Sequence, residues 1–151
     1  FRLYLIFNME EVKLTSTGAS YLLALWRLEE DKQKLSTGKL AKIFDVKAPS
    51  VIDALKKLES YGLVRRDPWK RIKLTKRGNH LALDIIHNHR ILEVYFKKFL
   101  GLDDETSCRE ASKIDYIVGM RLIKKICRAL DYPVTCIHGR ALVHRKCVSS
   151  R

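Results

Sequence analysis

Apolar residues recur at helical spacing in two segments between residues 15 and 47. The first segment follows the hydroxyl residues 15–17 and ends at the charged cluster 29–32; its stripe contains Tyr21, Leu22, Leu25 and Leu28. In the second segment Thr37 can cap a helix through its hydroxyl, and the stripe contains Leu40, Ala41 and Phe44. The pattern therefore predicts two helices, the second of which stops at residues 45–47.

A third helix and a hairpin are predicted next. Pro49 suits the first turn of a helix, where its missing N–H is not needed, and the inward stripe contains Val51, Ala54, Leu55 and Leu58. Gly62 is placed as the residue that ends this helix. Two β-prone segments follow, 63–66 and 71–74, and the residues Asp67-Pro68-Trp69-Lys70 form the turn between them.

The order of these elements is typical of a winged helix-turn-helix, which reads DNA. Ser50, Asp53 and Lys57 lie opposite the apolar stripe of the third helix and would face a major groove. The basic hairpin would lie against phosphates. The predicted DNA-binding residues are Lys47, Ser50, Asp53, Lys57, Arg65, Arg66, Lys70 and Arg71. A winged helix that binds only protein is the main alternative.

Three further helices are predicted, at about His80 to Leu100, Asp104 to Tyr116 and Met120 to Leu130, with Gly101 and Gly119 between them. Their apolar residues exceed what these helices can cover alone. We therefore expect a homodimer, because two-fold assemblies are the commonest and match a palindromic operator in double-stranded DNA.

The predicted fold class is mainly α with a small β wing, without an SH3-like domain. We expect an N-terminal extension over residues 1–14 and a winged helix-turn-helix domain over 15–78. A helical dimerisation domain would occupy residues 79–132, and a basic C-terminal tail residues 133–151.

Composition favours a nucleic-acid partner over a membrane. The 151 residues carry a formal net charge of +13, which attracts polyanions, and 46% of them are hydrophobic, enough for a folded core. No apolar run reaches the ~20 residues that span a bilayer. The opening residues 1–7 are apolar but make a poor signal peptide, so we expect a cytoplasmic protein; whether it starts at Phe1 or Met9 stays open. Motifs typical of enzymes are missing from the sequence, and we do not expect an enzyme.

The four cysteines are widely spaced and favour reduced thiols or metal ligands over disulfides. Cys127 lies among apolar residues of the last predicted helix and is typical of a buried core cysteine. The tail contains a series with zinc-ligand chemistry but without a common finger spacing: Cys136, His138, His144 and Cys147. For this arginine- and lysine-rich tail we expect a solvated segment rather than a zinc site.

In the order of its motifs, the chain resembles the diphtheria toxin repressor and manganese transport regulator family of metal-dependent repressors, from about Thr17 to Leu142. The resemblance rests on Tyr21-Leu22, Leu28-Glu29-Glu30, Pro49-Ser50-Val51, Gly62-Leu63-Val64, Leu74-Thr75, Gly78, His89-Arg90, Glu93, Gly101-Leu102-Asp103 and Cys136-Ile137-His138-Gly139. It implies a winged-helix domain followed by a helical dimerisation domain.

The resemblance also implies two metal sites. At the principal one, strong ligands of the family fall on Ser20, Ser112, Asp115 and Tyr116. Of these only the Asp115 carboxylate is a good ligand, because neutral hydroxyls compete poorly for a divalent metal. We therefore expect a DNA-binding regulator, a repressor, without the family's usual activation by iron or manganese. A winged-helix protein-interaction module and a zinc-binding structural protein are the alternatives.

The second, ancillary site of the family fits better. His89 and Glu93 are one helical turn apart, and the third ligand falls on Cys108, which shifts the preference toward zinc or another thiophilic divalent metal. A closed tetrahedral site needs a fourth ligand, which Cys136 or His138 can supply.

Overall fold

The fold is given by a computed structural model, which describes residues 12–67 and 71–147. The elements are α1 (Ser16–Glu30), α2 (Thr37–Phe44), α3 (Ala48–Ser60), β1 (Val64–Arg66), β2 (Ile72–Leu74), α4 (Lys76–Leu100), α5 (Asp104–Ile114) and α6 (Met120–Ala129). This mainly α arrangement with a two-stranded wing confirms the predicted fold class. Most of the N-terminal extension, residues 68–70 of the predicted turn with Lys70, and residues 148–151 lie outside the described residues.

The first hydrophobic core contains the predicted stripes of α1, α2 and α3. Leu22, Leu25, Leu40 and Leu55 are fully buried in it, together with apolar residues of the wing and of the first half of α4. The prediction that Thr37 caps α2 is wrong. Ser36 is the N-cap, because its hydroxyl is three residues before Lys39 and accepts that backbone N–H at 3.2 Å.

The wing follows α3 without a linker. Gly62 has a φ of +66°, as expected for the glycine that ends a helix. Strands β1 and β2 are antiparallel, with Val64 opposite Leu74, Arg65 opposite Lys73 and Arg66 opposite Ile72. Each strand begins one residue later than predicted. Leu63 still closes α3 by donating its backbone N–H to Leu58.

Helix α4 connects the two halves of the molecule. It begins at Lys76, earlier than the predicted His80, because the Thr75 hydroxyl accepts the backbone N–H of Gly78 and caps the helix. Its first half packs in the first core, and its second half, with Ile91 and Leu92, packs in a second core. The division into domains at residues 78 and 79 stays a prediction.

The second core is completed by α5, α6 and the segment after Pro133. The expected solvated tail is wrong for residues 135–147, because Cys136, Leu142 and Cys147 are buried in this core. Charged partners on other helices hold the segment as well. Arg90 of α4 donates to the Ala141 carbonyl at 2.8 Å, and Arg140 donates to the Asp31 carboxylate at 2.6 Å. None of the described helices combines the length and apolar character needed to cross a membrane.

Candidate nucleic-acid interface and metal centre

The face of α3 that was predicted to read DNA is exposed. Lys47, Ser50, Asp53 and Lys57 are all accessible to solvent. In the opposite stripe Val51, Leu55 and Leu58 are buried and Ala54 is partly buried, so α3 presents one polar face outward and one apolar face to the core. Among the described residues, Asp53 forms one ion pair, with Lys56 at 4.0 Å and with both side chains mostly exposed, a contact that contributes little to stability.

The wing carries two cations directly opposite each other. Arg65 of β1 pairs in register with Lys73 of β2, both side chains are exposed, and neither forms an ion pair within the described residues. Like charges placed opposite each other on an antiparallel pair repel, so this face favours an anionic partner. Lys73 was not among the predicted DNA-binding residues. The alternation of Ile72, Lys73 and Leu74 was the available signal, because it directs Lys73 to the opposite face from its buried neighbour.

Two other predicted DNA-binding arginines have carboxylate partners inside the chain. The Arg66 guanidinium lies 2.5 Å from Glu59 Oε2, and the Arg66 backbone N–H donates to Glu59 Oε1 at 3.0 Å. The hydrogen bond from Arg66 lowers the pKa of Glu59. Arg71 Nε donates to Asp67 Oδ2 at 2.6 Å. Arg66 thus ties the wing to α3, which places Arg65 and Lys73 relative to the groove-reading face.

The predicted metal ligands His89 and Glu93 lie one turn apart in the middle of α4 and are only 2% and 1% exposed. His89 Nε2 is 3.3 Å from Glu93 Oε2 and 3.5 Å from the sulfur of Cys108, which is supplied by α5. The three candidate ligand atoms all lie within 4.8 Å of one another. Helix α4 therefore places two candidate metal ligands, His89 and Glu93, next to the third, Cys108.

Cys136 and His138 approach the same carboxylate from the other side. With Glu93 they form a second triad whose ligand atoms lie within 4.8 Å, and His138 Nδ1 is 3.5 Å from Glu93 Oε2. The fold thus gathers all five predicted metal residues around Glu93. Glu93 Oε2 is buried and, among the described residues, makes no hydrogen bond of acceptable geometry. A buried carboxylate oxygen without a hydrogen-bond donor is the feature expected of a ligand to a bound cation.

Asp115 fixes the orientation of His89. Its Oδ2 lies 3.0 Å from His89 Nδ1, and its backbone carbonyl accepts the Asn88 amide at 2.9 Å. Burial alone would lower the pKa of His89, but the polar contacts with Asp115, Cys108 and Glu93 outweigh burial and raise the pKa to about 10. The surroundings therefore favour a positive charge here, which a bound cation would supply in place of the proton on Nε2, and Asp115 keeps Nε2 facing the other candidate ligands.

The residues onto which the resemblance places a principal metal site have a different chemistry. Ser20 and Ser112 line a pocket with Asp115 and the cationic Arg27. Both hydroxyls are engaged by their own helices, since Ser20 donates to the Ser16 carbonyl at 3.0 Å and Ser112 to the Cys108 carbonyl at 2.9 Å. Tyr116 packs beside the first core. A guanidinium beside two engaged hydroxyls is a poor place for a divalent cation.

The tail series that was considered as a zinc site is split between two places. Cys136 and His138 lie at Glu93, whereas His144 and Cys147 lie beside His87 and Cys127. His87 was not a candidate in the sequence, and Cys127 was expected to be an ordinary core cysteine. All four cysteines are free thiols.

Comparisons with known proteins agree with this architecture. The family model described as "Iron dependent repressor, N-terminal DNA binding domain" matches residues 13–71, and "Iron dependent repressor, metal binding and dimerisation domain" matches residues 75–142. An uncharacterized HTH-type transcriptional regulator of Methanocaldococcus jannaschii is 29% identical over 99 residues, which are 66% of this chain and 79% of the relative.

Two better described relatives are longer than this chain. The iron-dependent repressor IdeR of Mycobacterium tuberculosis is 25% identical over 130 residues, 86% of this chain but only 56% of the repressor. The solved structure of the manganese regulator SloR superposes with a TM-score of 0.74 at 29% identity, covering 87% of this chain and 65% of SloR. With both domain models matched in order along one chain, this protein belongs to the iron-dependent repressor family.

Proposed function

We propose that this chain is a sequence-specific transcriptional repressor that binds a palindromic operator in double-stranded DNA as a homodimer, in the cytoplasm. The observation that carries the proposal is the exposed polar face of α3 beside the opposed cations Arg65 and Lys73. A protein-binding winged helix would not need two like charges in register on the wing. Phosphates offset that repulsion, and a groove gives Ser50, Asp53 and Lys57 partners.

Within the proposed DNA interface, the residues would have different roles. Asp53 would accept a hydrogen bond from a cytosine N4 in the major groove, because a carboxylate near phosphates is otherwise repelled. Lys47 and Lys57 flank it on α3, and the wing cations would bind phosphates. For the wing, the proposed phosphate ligands are Arg65, Arg66, Lys70, Arg71 and Lys73.

We further propose that the metal of this protein is zinc or another thiophilic divalent ion, held by His89, Glu93 and Cys108 with Cys136 or His138. The donor set of imidazole, carboxylate and thiol suits such an ion. The buried, unsatisfied Glu93 Oε2 supports this fit. The ion would supply a permanent positive charge that links α4, α5 and the tail, a structural contribution to stability.

The same reasoning predicts that DNA binding does not require iron or manganese in the usual way of the family. The pocket of Ser20, Ser112 and Arg27 offers little differential affinity for those ions, and a ligand shifts a conformational equilibrium only by that difference. Asp115, the remaining carboxylate, is engaged by His89.

The test begins with DNA sequences selected from a random pool by the purified protein, followed by affinity measurements. The protein is stripped with a chelator, and ferrous iron, manganese or zinc is restored separately. We expect one preferred palindrome and less than a tenfold change in affinity with iron or manganese. Selection of no sequence would contradict the repressor function. A gain of tenfold or more with iron or manganese, about 1.4 kcal/mol, would contradict only the proposed loss of activation.

A further inference from the structure

A second group of potential metal ligands lies outside the Glu93 centre and shares no residue with it. It consists of His87 on α4, Cys127 on α6, and His144 and Cys147 in the segment after Pro133. His87, Cys127 and Cys147 are buried, and His144 is half-buried. The four candidate ligand atoms all lie within 4.8 Å of one another.

The individual distances match a tetrahedral arrangement around one ion. Cys127 Sγ is 3.2 Å from His144 Nδ1, Cys147 Sγ is 3.5 Å from His87 Nε2, and the two ring nitrogens are 3.4 Å apart. Zinc bonds to sulfur and nitrogen at tetrahedral angles place two nitrogens about 3.3 Å apart and a nitrogen about 3.6 Å from a sulfur. The Cys147–His87 and His87–His144 distances lie within about 0.1 Å of these values and the Cys127–His144 distance is about 0.4 Å shorter, so a small adjustment would let the four atoms hold such an ion.

The orientation of His144 also fits a ligand. Its Nε2 lies 2.8 Å from the Pro133 carbonyl oxygen, which can only accept a hydrogen bond. Nε2 must therefore carry the proton, and the lone pair of Nδ1 faces the other three residues. A ligating histidine typically donates its second ring nitrogen to a carbonyl in this way, which fixes the ring.

We propose that His87, Cys127, His144 and Cys147 bind one zinc ion as a closed structural site. Two thiolates and two imidazoles in this spacing are a ligand set typical of structural zinc. Four protein ligands leave no open coordination position, so the ion holds structure rather than performing catalysis.

The proposed ion explains how a short basic segment stays on the helical domain. The segment from Pro133 to Cys147 has no helix of its own and one isolated β-bridge, between Thr135 and Ala141. A zinc ion bound to His144 and Cys147 would tie its end to α4 through His87 and to α6 through Cys127. Because the same segment carries Cys136 and His138 to Glu93, the ion would also hold those two side chains in place.

The experiment measures tightly bound zinc in the full chain, purified under reducing conditions from zinc-supplemented cells. Cys147→Ser and His144→Ala are the test variants, because both changes lie in the tail rather than in a helix. His80→Ala is the matched control, since it removes an exposed histidine of α4 that belongs to neither group of candidate ligands. Relative to the unchanged protein, we expect each test variant to lose one zinc ion per chain, and His80→Ala to keep the full zinc content.

Cobalt gives a second readout that does not depend on stoichiometry. Substituted Co²⁺ should show the strong visible bands of tetrahedral coordination and a near-ultraviolet thiolate band. We expect Cys147→Ser to weaken the thiolate band and His144→Ala to shift the visible bands while circular dichroism confirms that the variants are folded. Removal of the ion should also increase tryptic cleavage at Arg145 or Lys146.

Three results would overturn the proposal. One is a wild-type protein that contains no zinc at this site and binds none in titration. Another is equal zinc content and equal cobalt spectra in wild type and both test variants. The third is a disulfide between Cys127 and Cys147 in place of two metal-binding thiols.

Discussion

Different residues are expected to determine how tightly this protein binds DNA and which DNA sequence it prefers. Arg65 and Lys73 are exposed, opposite each other and without an ion-pair partner among the described residues, so their charge is available to phosphates. Arg66 differs, because Glu59 engages both its guanidinium and its backbone N–H. Its loss would disturb the wing as well as remove a charge. Asp53 carries no positive charge, and in the proposed groove contact its role would be base recognition.

Changing Arg65 and Lys73 to Ala, singly, should weaken binding to every DNA sequence. Each change should reduce the slope of log affinity against log salt by about one, because one phosphate contact and its counterion release are lost. Asp53→Ala should instead leave the salt slope unchanged and alter the preferred base. Binding isotherms at several salt concentrations, with operator and scrambled DNA, measure both effects.

Lys125→Ala is the control for the wing variants. Lys125 is an exposed cation on α6, remote from the wing in the chain, and its removal changes the net charge by the same amount. An equal drop in salt slope for Lys125→Ala would show that the effect comes from net charge alone. An unchanged base preference in Asp53→Ala would mean that α3 does not lie in the groove as proposed.

At the scale of elements, the backbones of the wing and of α4 approach each other very closely where α4 begins. A Cβ on Gly78 would lie 1.9 Å from the Leu63 carbonyl oxygen, which accepts the Thr75 backbone N–H at 3.0 Å. Thr75 also donates its hydroxyl to the Gly62 carbonyl at 2.6 Å. This close approach sets the angle at which α4 leaves the wing, and only glycine permits it.

Gly78→Ala should therefore destabilise the protein by about 1–3 kcal/mol, because the added methyl group must displace backbone rather than a flexible side chain. Thermal unfolding should show a decrease of about 2–4 °C in Tm for each kcal/mol. Gly38→Ala is the control. Gly38 lies in α2 with no neighbour within 4 Å of a new Cβ, so alanine there should be neutral or slightly stabilising. Equal Tm values for both variants would contradict the close approach at Gly78.

The whole molecule leaves large apolar side chains exposed on the half that the family model describes as metal binding and dimerisation. Phe99 and Leu100 at the end of α4, Ile117 after α5 and Leu122 on α6 are each more than half exposed, at 52%, 57%, 64% and 55%. Side chains of this size are costly to leave in water, and a second copy would cover them.

Phe99→Asp and Leu122→Asp should convert the proposed homodimer to a monomer, because each would place a charge in its apolar interface. Ile43→Asp is the matched control, since Ile43 is 51% exposed but lies on α2 in the DNA-binding half. Sedimentation at micromolar concentration separates the two states. If Ile43→Asp dissociated the protein and the other two variants did not, the interface would lie elsewhere on the molecule. If the unchanged protein were already monomeric, the proposed homodimer would be wrong.

Local patterns in the sequence were sufficient for the winged helix. The 3.6-residue period of α1 to α3, the proline at the start of α3, the glycine after it and the basic hairpin each depend on neighbouring residues alone. The family resemblance implied His89 and Glu93 as ligands, and their i, i+4 spacing places both on one helical face wherever that helix packs. The sequence pattern misplaced the cap of α2, since Ser36 and Thr37 carry the same hydroxyl chemistry.

Only the tertiary structure decided which distant residues meet. Cys108 reaches His89 through the packing of α5 on α4, and Cys136 and His138 reach Glu93 because buried Leu142 and the Arg140 ion pairs fold the tail back. The pairing of His144 and Cys147 with His87 and Cys127 has no local signature, since it joins three segments far apart in the chain. Periodicity reports which face of an element is buried. What that face packs against depends on how the helices cover one another's apolar surface, and this is a property of the assembled core.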